Sequence, residues 1–538
     1  MRLVSVEQMR AIEREADQAG MSYAQMVQNA GRSLAEIVLD RYGAGGPLRA
    51  MALVGGGNNG ADSLVALAYL ASRGWRSTAY VAGKRAVEDA LIRQLEERGG
   101  RVVWGEADSG RVYLRSLLAS SDLLVDGVLG TGAKLPLRDD VAEVLRIANL
   151  YAPRLTVVAV DCPSGVDCTS GEVAEETIRA DLTVCMAAVK VGLVKLPAFA
   201  DVGELVCADI GLTDELKSWA EVGDEVADAE MVRAALPARP LDAHKGSFGT
   251  AMLVAGSVNY TGAVLLASRA AYLVGAGLVR VGVPAPLHAV LAGQLPEATW
   301  LLLPDDQGVI AEGAERVVLE DLKRASALLL GPGWGTEATT GRFLGAVLAD
   351  GSGRSLRRPV GFVQREESGE AGARVHLPPL VMDADGLRLL AQMESWPELL
   401  PPGSVLTPHP GEMSALCGLV VAEIQKDRIE TARRFAQEWG HVVVLKGALT
   451  VVADPTGRVS VVPVATPALA RAGTGDVLAG MTVGLLAQGM PAFEAARSAA
   501  WLHAQAGVLA KIARGTASSV LASDVAGRIP EVLAELGV

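Results

Sequence analysis

Along most of the chain, short apolar runs alternate with segments of helical period. Between residue 51 and about 212 the runs MALVGG, TAYVAG, DLLVDGVLG, TVVAVD, DLTVCMAA and ELVCADIG are separated by stretches such as SLVALAYLASRG and DALIRQLEERGG. Short apolar runs bounded by Gly or Asp read as strands, and the periodic stretches between them as the crossover helices of a mostly parallel sheet. Around 213–243 the character turns acidic and helical, then proline-rich in ALPARPLDAHKG, a linker or crossover. A second alternation opens at TAMLVAGS (250–257) and runs through SALLLGPGWG, LVMDADGLRLL, SVLTPHPGE and HVVVLKG to a long helical region after Gly475. The pattern predicts an α/β protein of two domains, with bounds drawn at 1–220 and 225–538. The polar, Gly-rich residues 351–375 read as a surface insertion in the second.

Length supports more than one core, since 538 residues exceed what a single core organises. Half the residues are hydrophobic and only 4% aromatic, which suits layers packed through small and branched aliphatic side chains. A net charge of −13 offers no broad footprint for nucleic acid or anionic membrane, so an anionic ligand needs a local site. The five cysteines form no CxxC pair and are expected to be reduced and buried. The N-terminal MRLVSVEQMRAIEREADQAG has an amphipathic helical pattern rather than that of a signal peptide, and no eighteen-residue apolar stretch occurs. The expected compartment is the cytoplasm. Six histidines without HxxxH or HExxH spacing argue against zinc chemistry.

Two glycine loops carry the candidate chemistry. GGGNNG (55–60) matches GxGxxG between a strand and a helix, with Asn58, Asn59 and Asp62 on its helical side. The acid that would complete a dinucleotide fingerprint is absent; Lys84 and Arg85 stand there and read as solvated charges rather than a phosphate receiver. Asp126 and the GTG at 130–132 follow one predicted strand, and Asp161 and Ser164 follow another. Ligands of open parallel sheets bind at the carboxyl ends of strands, so these residues should converge on one pocket. In the second loop, ARAGTGDVLAGM (470–481), GTGD lacks the lysine of a Walker loop. What remains is a run of amides at a helix start, which favours an anion. Asp476 there is expected to stay ionised by the helix dipole and to act as base toward a hydroxyl approaching a phosphoryl group. The plainer reading makes it an N-terminal cap.

GGGNNGADSL, VDGVLGTGAKLP and AVDCPSGVD resemble the three motifs of the NAD(P)H-hydrate epimerase family across residues 1–215. The resemblance implies that Asn58, Asn59, Gly60, Ala61 and Asp62, together with Gly130, Thr131, Gly132, Ala133, Lys134, Leu135, Pro136 and Asp161, hold the damaged dinucleotide. It also implies that Asn59, Asp126 and Ser164 bind potassium through oxygen, and Asp161 is the candidate acid/base or orienting group. The family usually reads NNGGDG where this chain has Ala61 and Ser63, and Cys162 replaces an aliphatic residue.

HKGSFGTAMLVAGS (244–257), GPGWG (331–335), LTPHPGE (406–412) and VVLKGALTVV (443–452), with GTGD, are similar to the ribokinase-like ADP-dependent NAD(P)H-hydrate dehydratase family. That likeness implies that Lys446, Gly447, Ala448, Leu449, Thr450 and Gly475 bind AMP or ADP. Ala263, Gly333, Gly335, His409 and Asp476 would contact the hydrated dinucleotide. Pro408 and Pro410 fix the loop that carries His409. Together the two resemblances imply a Rossmann-like three-layer domain followed by a ribokinase-like one. They imply a metabolite-repair enzyme that epimerises R and S NAD(P)HX and dehydrates the S form with ADP or ATP as co-substrate, magnesium accompanying the nucleotide. A homo-oligomer is expected. The alternatives are a vitamin-precursor kinase, which would release a stable phosphorylated product, and a dinucleotide-binding regulator with a silent first domain.

Overall fold

A computed structural model describes residues 1–352 and 376–538, so the predicted insertion lies, beyond Ser352, outside the described residues. The chain divides into Met1–Val226 and Ala227–Val538.

In the first unit the apolar runs form β1 (Arg49–Val54), β2 (Arg76–Val81), β3 (Arg101–Trp104), β4 (Leu123–Gly127), β5 (Thr156–Val160), β6 (Leu182–Met186) and β7 (Glu204–Ala208). They lie in the order β3-β2-β1-β4-β5-β6-β7 and every pairing is parallel. Residues alternate between faces, so β1 sends Ala52 and Val54 to one core and Met51 and Leu53 to the other. The first core is covered by α1 (Val6–Gln18), α2 (Tyr23–Tyr42) and α3 (Asn58–Ser72), through Met9, Leu34 and Leu67 among others. Leu114 and Leu145, from helices Val112–Ser120 and Asp139–Asn149, cover the second. This is a three-layer sandwich, and its strand order reverses between β1 and β4, where a crevice opens.

The second unit contains β8 (Thr250–Val254), β9 (Leu278–Pro284), β10 (Thr299–Leu303), β11 (Ala327–Leu330), β12 (Leu380–Met382), β13 (Val405–Leu406), β14 (Val442–Leu445), β15 (Val451–Ala453) and β16 (Val459–Val461). Their order is β16-β15-β14-β13-β12-β11-β8-β9-β10, parallel from β10 through β14 and antiparallel beyond. Four helices matter for the site: α4 (Thr261–Leu273), α5 (Pro410–Cys417), α6 (Thr474–Ala487) and α7 (Ala492–Arg514). From Val477 to Ala487 every residue of α6 is buried. A Cβ on Gly480 would collide with the Ala267 carbonyl of α4, so glycine lets the two helices touch and fixes where α6 begins. The proline-rich stretch 235–246 lies inside this unit, held by Arg239 Nη2 donating to the Gly275 carbonyl at 2.7 Å. Among the described residues no helix is long and apolar enough to cross a membrane.

Candidate functional site

In the first unit β1 runs into Gly55, Gly56 and Gly57, and α3 starts at Asn58 with no side chain capping it. Its free amides are available to an anion. A cavity of about 550 Å³ opens beside them at the crevice. Asn58, Asn59, Asp62, Gly130, Thr131, Gly132, Ala133 and Asp161 line it. Gly60 and Ala61 lie on the buried side of α3, and Lys134, Leu135 and Pro136 fall outside the wall. None of the three departures from the family pattern reaches the cavity: Ala61 and Cys162 are buried, and Ser63 Oγ turns inward to donate to the Asn59 carbonyl at 2.7 Å. The basic pair divides. Lys84 is exposed and lines the cavity, whereas Arg85, expected to be solvated, folds inward to donate to Asp89 at 2.7 Å and to the Gly55 carbonyl at 3.0 Å. Desolvation is offset there by a carboxylate that hydrophobic patterning does not reveal.

Asp161 follows β5 in a left-handed conformation, φ 65°, which Asp tolerates better than most residues. Its Oδ1 accepts from the Met186 N–H at 2.9 Å and from the ammonium of Lys190. Lys190 is 1% exposed and donates also to the carbonyls of Met186 and Ala188, each at 3.0 Å, so its three protons are all placed. Burial alone would lower this ammonium; the groups around it, the Asp161 carboxylate foremost, together more than offset that and hold Lys190 above its ordinary value. Asp161 Oδ2 has no partner among the described residues. Asp62 is 4% exposed, and burial, followed by Asp161 and Glu13, pushes it well above the usual carboxylate range. Behind the wall, wholly buried Asp126 accepts from Ser164 Oγ at 2.6 Å and from the Ser164 N–H at 2.8 Å. The Asn59 amide donates to the Leu129 carbonyl at 3.2 Å and to the Val160 carbonyl.

In the second unit Gly473, φ 89°, caps α6 and no side chain serves its first amides. Asp476 is therefore not the cap; it sits in the first turn with its carboxyl free for other use. Three neighbouring strands each deliver one partner. Asp383 follows β12, Glu412 lies in the first turn of α5 after β13, and Lys446 follows β14. Lys446 Nζ is 2.6 Å from Asp383 Oδ1 and 3.5 Å from Glu412 Oε2, and a Cβ on Gly475 would lie 3.5 Å from that same nitrogen. The ammonium thus reaches the GTGD turn. Asp476 departs from the expectation of a carboxylate kept ionised by the helix dipole: burial, then the negative charge of Asp383, push it up to about 7. Burial lifts Glu412 to about 7 as well.

The other expected contacts gather around this core. Gly333, φ 66°, packs on Ala263 of α4 so closely that a Cβ would lie 2.8 Å from the Ala263 Cβ, and the Gly335 N–H donates to Asp385 at 2.9 Å. His409 caps α5, its Nδ1 accepting from the amides of Gly411 at 2.9 Å and Glu412 at 3.2 Å, and burial lowers its pKa. The loop from Lys446 to Thr450 is shaped by Arg428, which donates to the carbonyls of Leu445 at 2.7 Å and Lys446 at 3.1 Å and packs on Gly447. Leu449 takes φ 56°, and Thr450 Oγ1 donates to the Gly447 carbonyl at 2.9 Å; Ala448 completes the turn. His503 of α7 is buried and pushed down to about 4 by that burial, so it is neutral there. Lys190, Asp383, Glu412, Arg428 and His503 were not singled out from sequence. Asp383 and Glu412 stand in motifs that were, VMDAD and LTPHPGE, while nothing local marks Lys190.

A parallel sheet with a glycine turn at its switch point, followed by a second α/β unit whose GTGD helix has no side-chain cap, gives each unit a helix start suited to an anionic ligand. The sequence pattern of the NAD(P)H-hydrate dehydratase family matches residues 251–356 and 370–531, and that of the YjeF-related protein N-terminus matches 23–192. A bifunctional NAD(P)H-hydrate repair enzyme of Moorella thermoacetica is 34% identical over 545 residues, covering 100% of this chain and 97% of that one. One of Salinibacter ruber is 36% identical over 96% of this chain and 93% of its own. The ADP/ATP-dependent NAD(P)H-hydrate dehydratase of Bacillus subtilis, co-crystallised with ATP and Mg2+, is 30% identical with a TM-score of 0.47, over 58% of this chain and 99% of that one. The chain belongs to the family of bifunctional NAD(P)H-hydrate repair enzymes.

Proposed function

We propose that the first unit interconverts the R and S hydrates of NADH and NADPH, and that the second dehydrates the S form while ADP becomes AMP and phosphate. The observation that carries this reading is Asp476 in the first turn of a helix without a side-chain cap, beside Lys446. A carboxyl near neutrality is a base suited to a hydroxyl. Asp476 takes the proton of the ring hydroxyl as the terminal phosphoryl group is transferred, while the GTGD amides and Lys446 face the charge on that group. Phosphate is a far better leaving group than hydroxide. It departs with its bonding pair as the ring nitrogen lone pair closes onto C6, and loss of the C5 proton to water restores the double bond. His409, Ala263, Gly333 and Gly335 would hold the dinucleotide, with Lys446 to Thr450 and Gly475 on the adenine nucleotide. Magnesium fits here as a partner of the phosphates: it takes few protein ligands, and Asp383 Oδ2 is a buried oxygen with no partner among the described residues.

In the first unit Asp161 is the acid/base or orienting group at C6. Potassium fits behind it. Asp126 is wholly buried, has no cationic partner among the described residues, and is grouped with the oxygens of Ser164 and the carboxamide of Asn59. Those three residues would hold the ion, which supplies positive charge to the buried carboxylate and shapes the pocket.

The test is recovery of nicotinamide absorbance from a mixture of R and S hydrates with ADP, with ATP and with neither. Full recovery dependent on one nucleotide supports both activities and names the donor. Recovery of the S fraction alone removes the epimerase reading, and accumulation of a stable phosphorylated product replaces the dehydratase with a kinase.

A further inference from the structure

The first cavity holds two carboxyls in unlike surroundings. Asp161 is ion-paired: Lys190 and the Met186 amide both bind Oδ1, leaving Oδ2 for a ligand. Asp62 lines the same cavity, is 4% exposed, and accepts neither a hydrogen bond nor an ion pair from the described residues, with Oδ1 closed to solvent. A carboxylate with one oxygen closed to solvent and no donor or counter-ion on either is disfavoured, while a neutral carboxylic acid is disfavoured far less. The charged groups around it agree. Asp161 and Glu13 raise its proton affinity, and Lys190 and Arg85 offset only part of that. Arg85 is committed to Asp89 and Lys190 to Asp161.

Epimerisation at C6 needs a proton delivered to the hydroxyl leaving one face of the ring and a proton taken from the water arriving at the other. Two groups of opposite protonation meet that need. We propose that Asp62 is a second catalytic group of the epimerase cavity, the acid that works with the Lys190-held carboxylate of Asp161 as base. Asp62 gives its proton to the C6 hydroxyl; the C–O bond breaks, its electron pair leaving on water, and the ring nitrogen lone pair forms the C6–N double bond. Water adds to the opposite face, the nitrogen recovers its lone pair, and the proton released goes to Asp161. One proton enters and one leaves. The opposite epimer then reacts with the two roles exchanged, and transfer of the proton back to Asp62 resets the site. Lys190 is a positioning residue, since it acts only through Asp161.

This inference rests on the epimerase reading of the first unit. Its test uses the full chain without nucleotide, following the R to S ratio of NADHX and the entry of 18O from labelled water at C6. Asp62→Asn keeps the shape and loses the acid proton. The expected result is a fall in kcat of about 10²- to 10⁴-fold with KM changed only a few-fold, and loss of 18O entry in proportion. Asp62→Glu, which retains an acid, should recover a measurable part of kcat, and in the wild type epimerisation should decline on the alkaline side as the acid titrates. Wild-type turnover by Asp62→Asn, a loss confined to KM, or equal loss in the Asn and Glu variants would overturn the role of Asp62. A wild-type protein that neither epimerises nor exchanges 18O overturns the epimerase reading itself, and this role with it.

Discussion

In the first unit one buried lysine faces one buried aspartate: Lys190 and Asp161 form a pair with every ammonium proton placed. In the second, a single lysine serves three carboxyls. Lys446 is 2.6 Å from Asp383 and 3.5 Å from Glu412, and it also reaches the turn that carries Asp476. One-to-one pairing fixes where the carboxylate sits, with both bonds on Oδ1. Burial first, and then the negative charge of Asp383, leave two carboxyls that share one cation, Asp476 and Glu412, near 7, where each exchanges a proton readily at neutral pH. The two arrangements suit different tasks. A site that must strip a proton from a hydroxyl during phosphoryl transfer benefits from a base near neutrality. An excess of carboxylate would repel a polyphosphate, so the second site is also the one whose ligand should arrive with a cation.

The comparison breaks most visibly at Asp476. Asp476→Asn should lower dehydration of the S hydrate by about 10²- to 10⁴-fold while the R to S interconversion continues. Loss of both activities together would contradict two separate sites. Next comes Lys190→Met. Truncating one member of a buried ion pair strands the other charge and costs about 3–5 kcal/mol, so the first unit should unfold at distinctly lower denaturant concentration. Lys446→Met should lose less, because the carboxyls it leaves can take up protons. Equal losses in the two variants, read by urea unfolding, would show that shared and exclusive pairing do not differ as described.

The hydrophobic pattern carried the strand and helix alternation of both units, because burial on one or both faces of an element writes itself into local periodicity. Asp161 and Asp476 were legible for a related reason: each ends a strand or opens a helix beside glycines, where parallel sheets place ligands. Lys190 was not legible. It follows Asp161 by 29 residues inside the apolar AAVKVG, and only the adjacency of β5 and β6 brings the two together. Asp383, Glu412 and Lys446 likewise meet because β12, β13 and β14 are neighbours, a fact of sheet order that no local spacing encodes. Arg85 failed for the same cause, its loop folding back onto Gly55 instead of into water.

The smallest effect sharpens the comparison furthest. If sharing one lysine is what lifts Asp476, removing a competitor should lower it. After burial, the charge of Asp383 is the largest cause of the upward shift of Asp476, and Asp383 also holds the Lys446 ammonium. A base must be deprotonated to act, so kcat/KM for dehydration should fall as pH drops below about 7, approaching tenfold per unit. Asp383→Asn removes one negative neighbour and frees Lys446 to turn toward Asp476 and Glu412. Both changes favour the charged carboxylate, so the acid limb should move to lower pH by on the order of one unit, whatever the variant does to the plateau rate. A limb that stays near 7 in Asp383→Asn would mean that burial alone sets Asp476, and that the three-to-one arrangement around Lys446 is structural rather than a means of tuning the base.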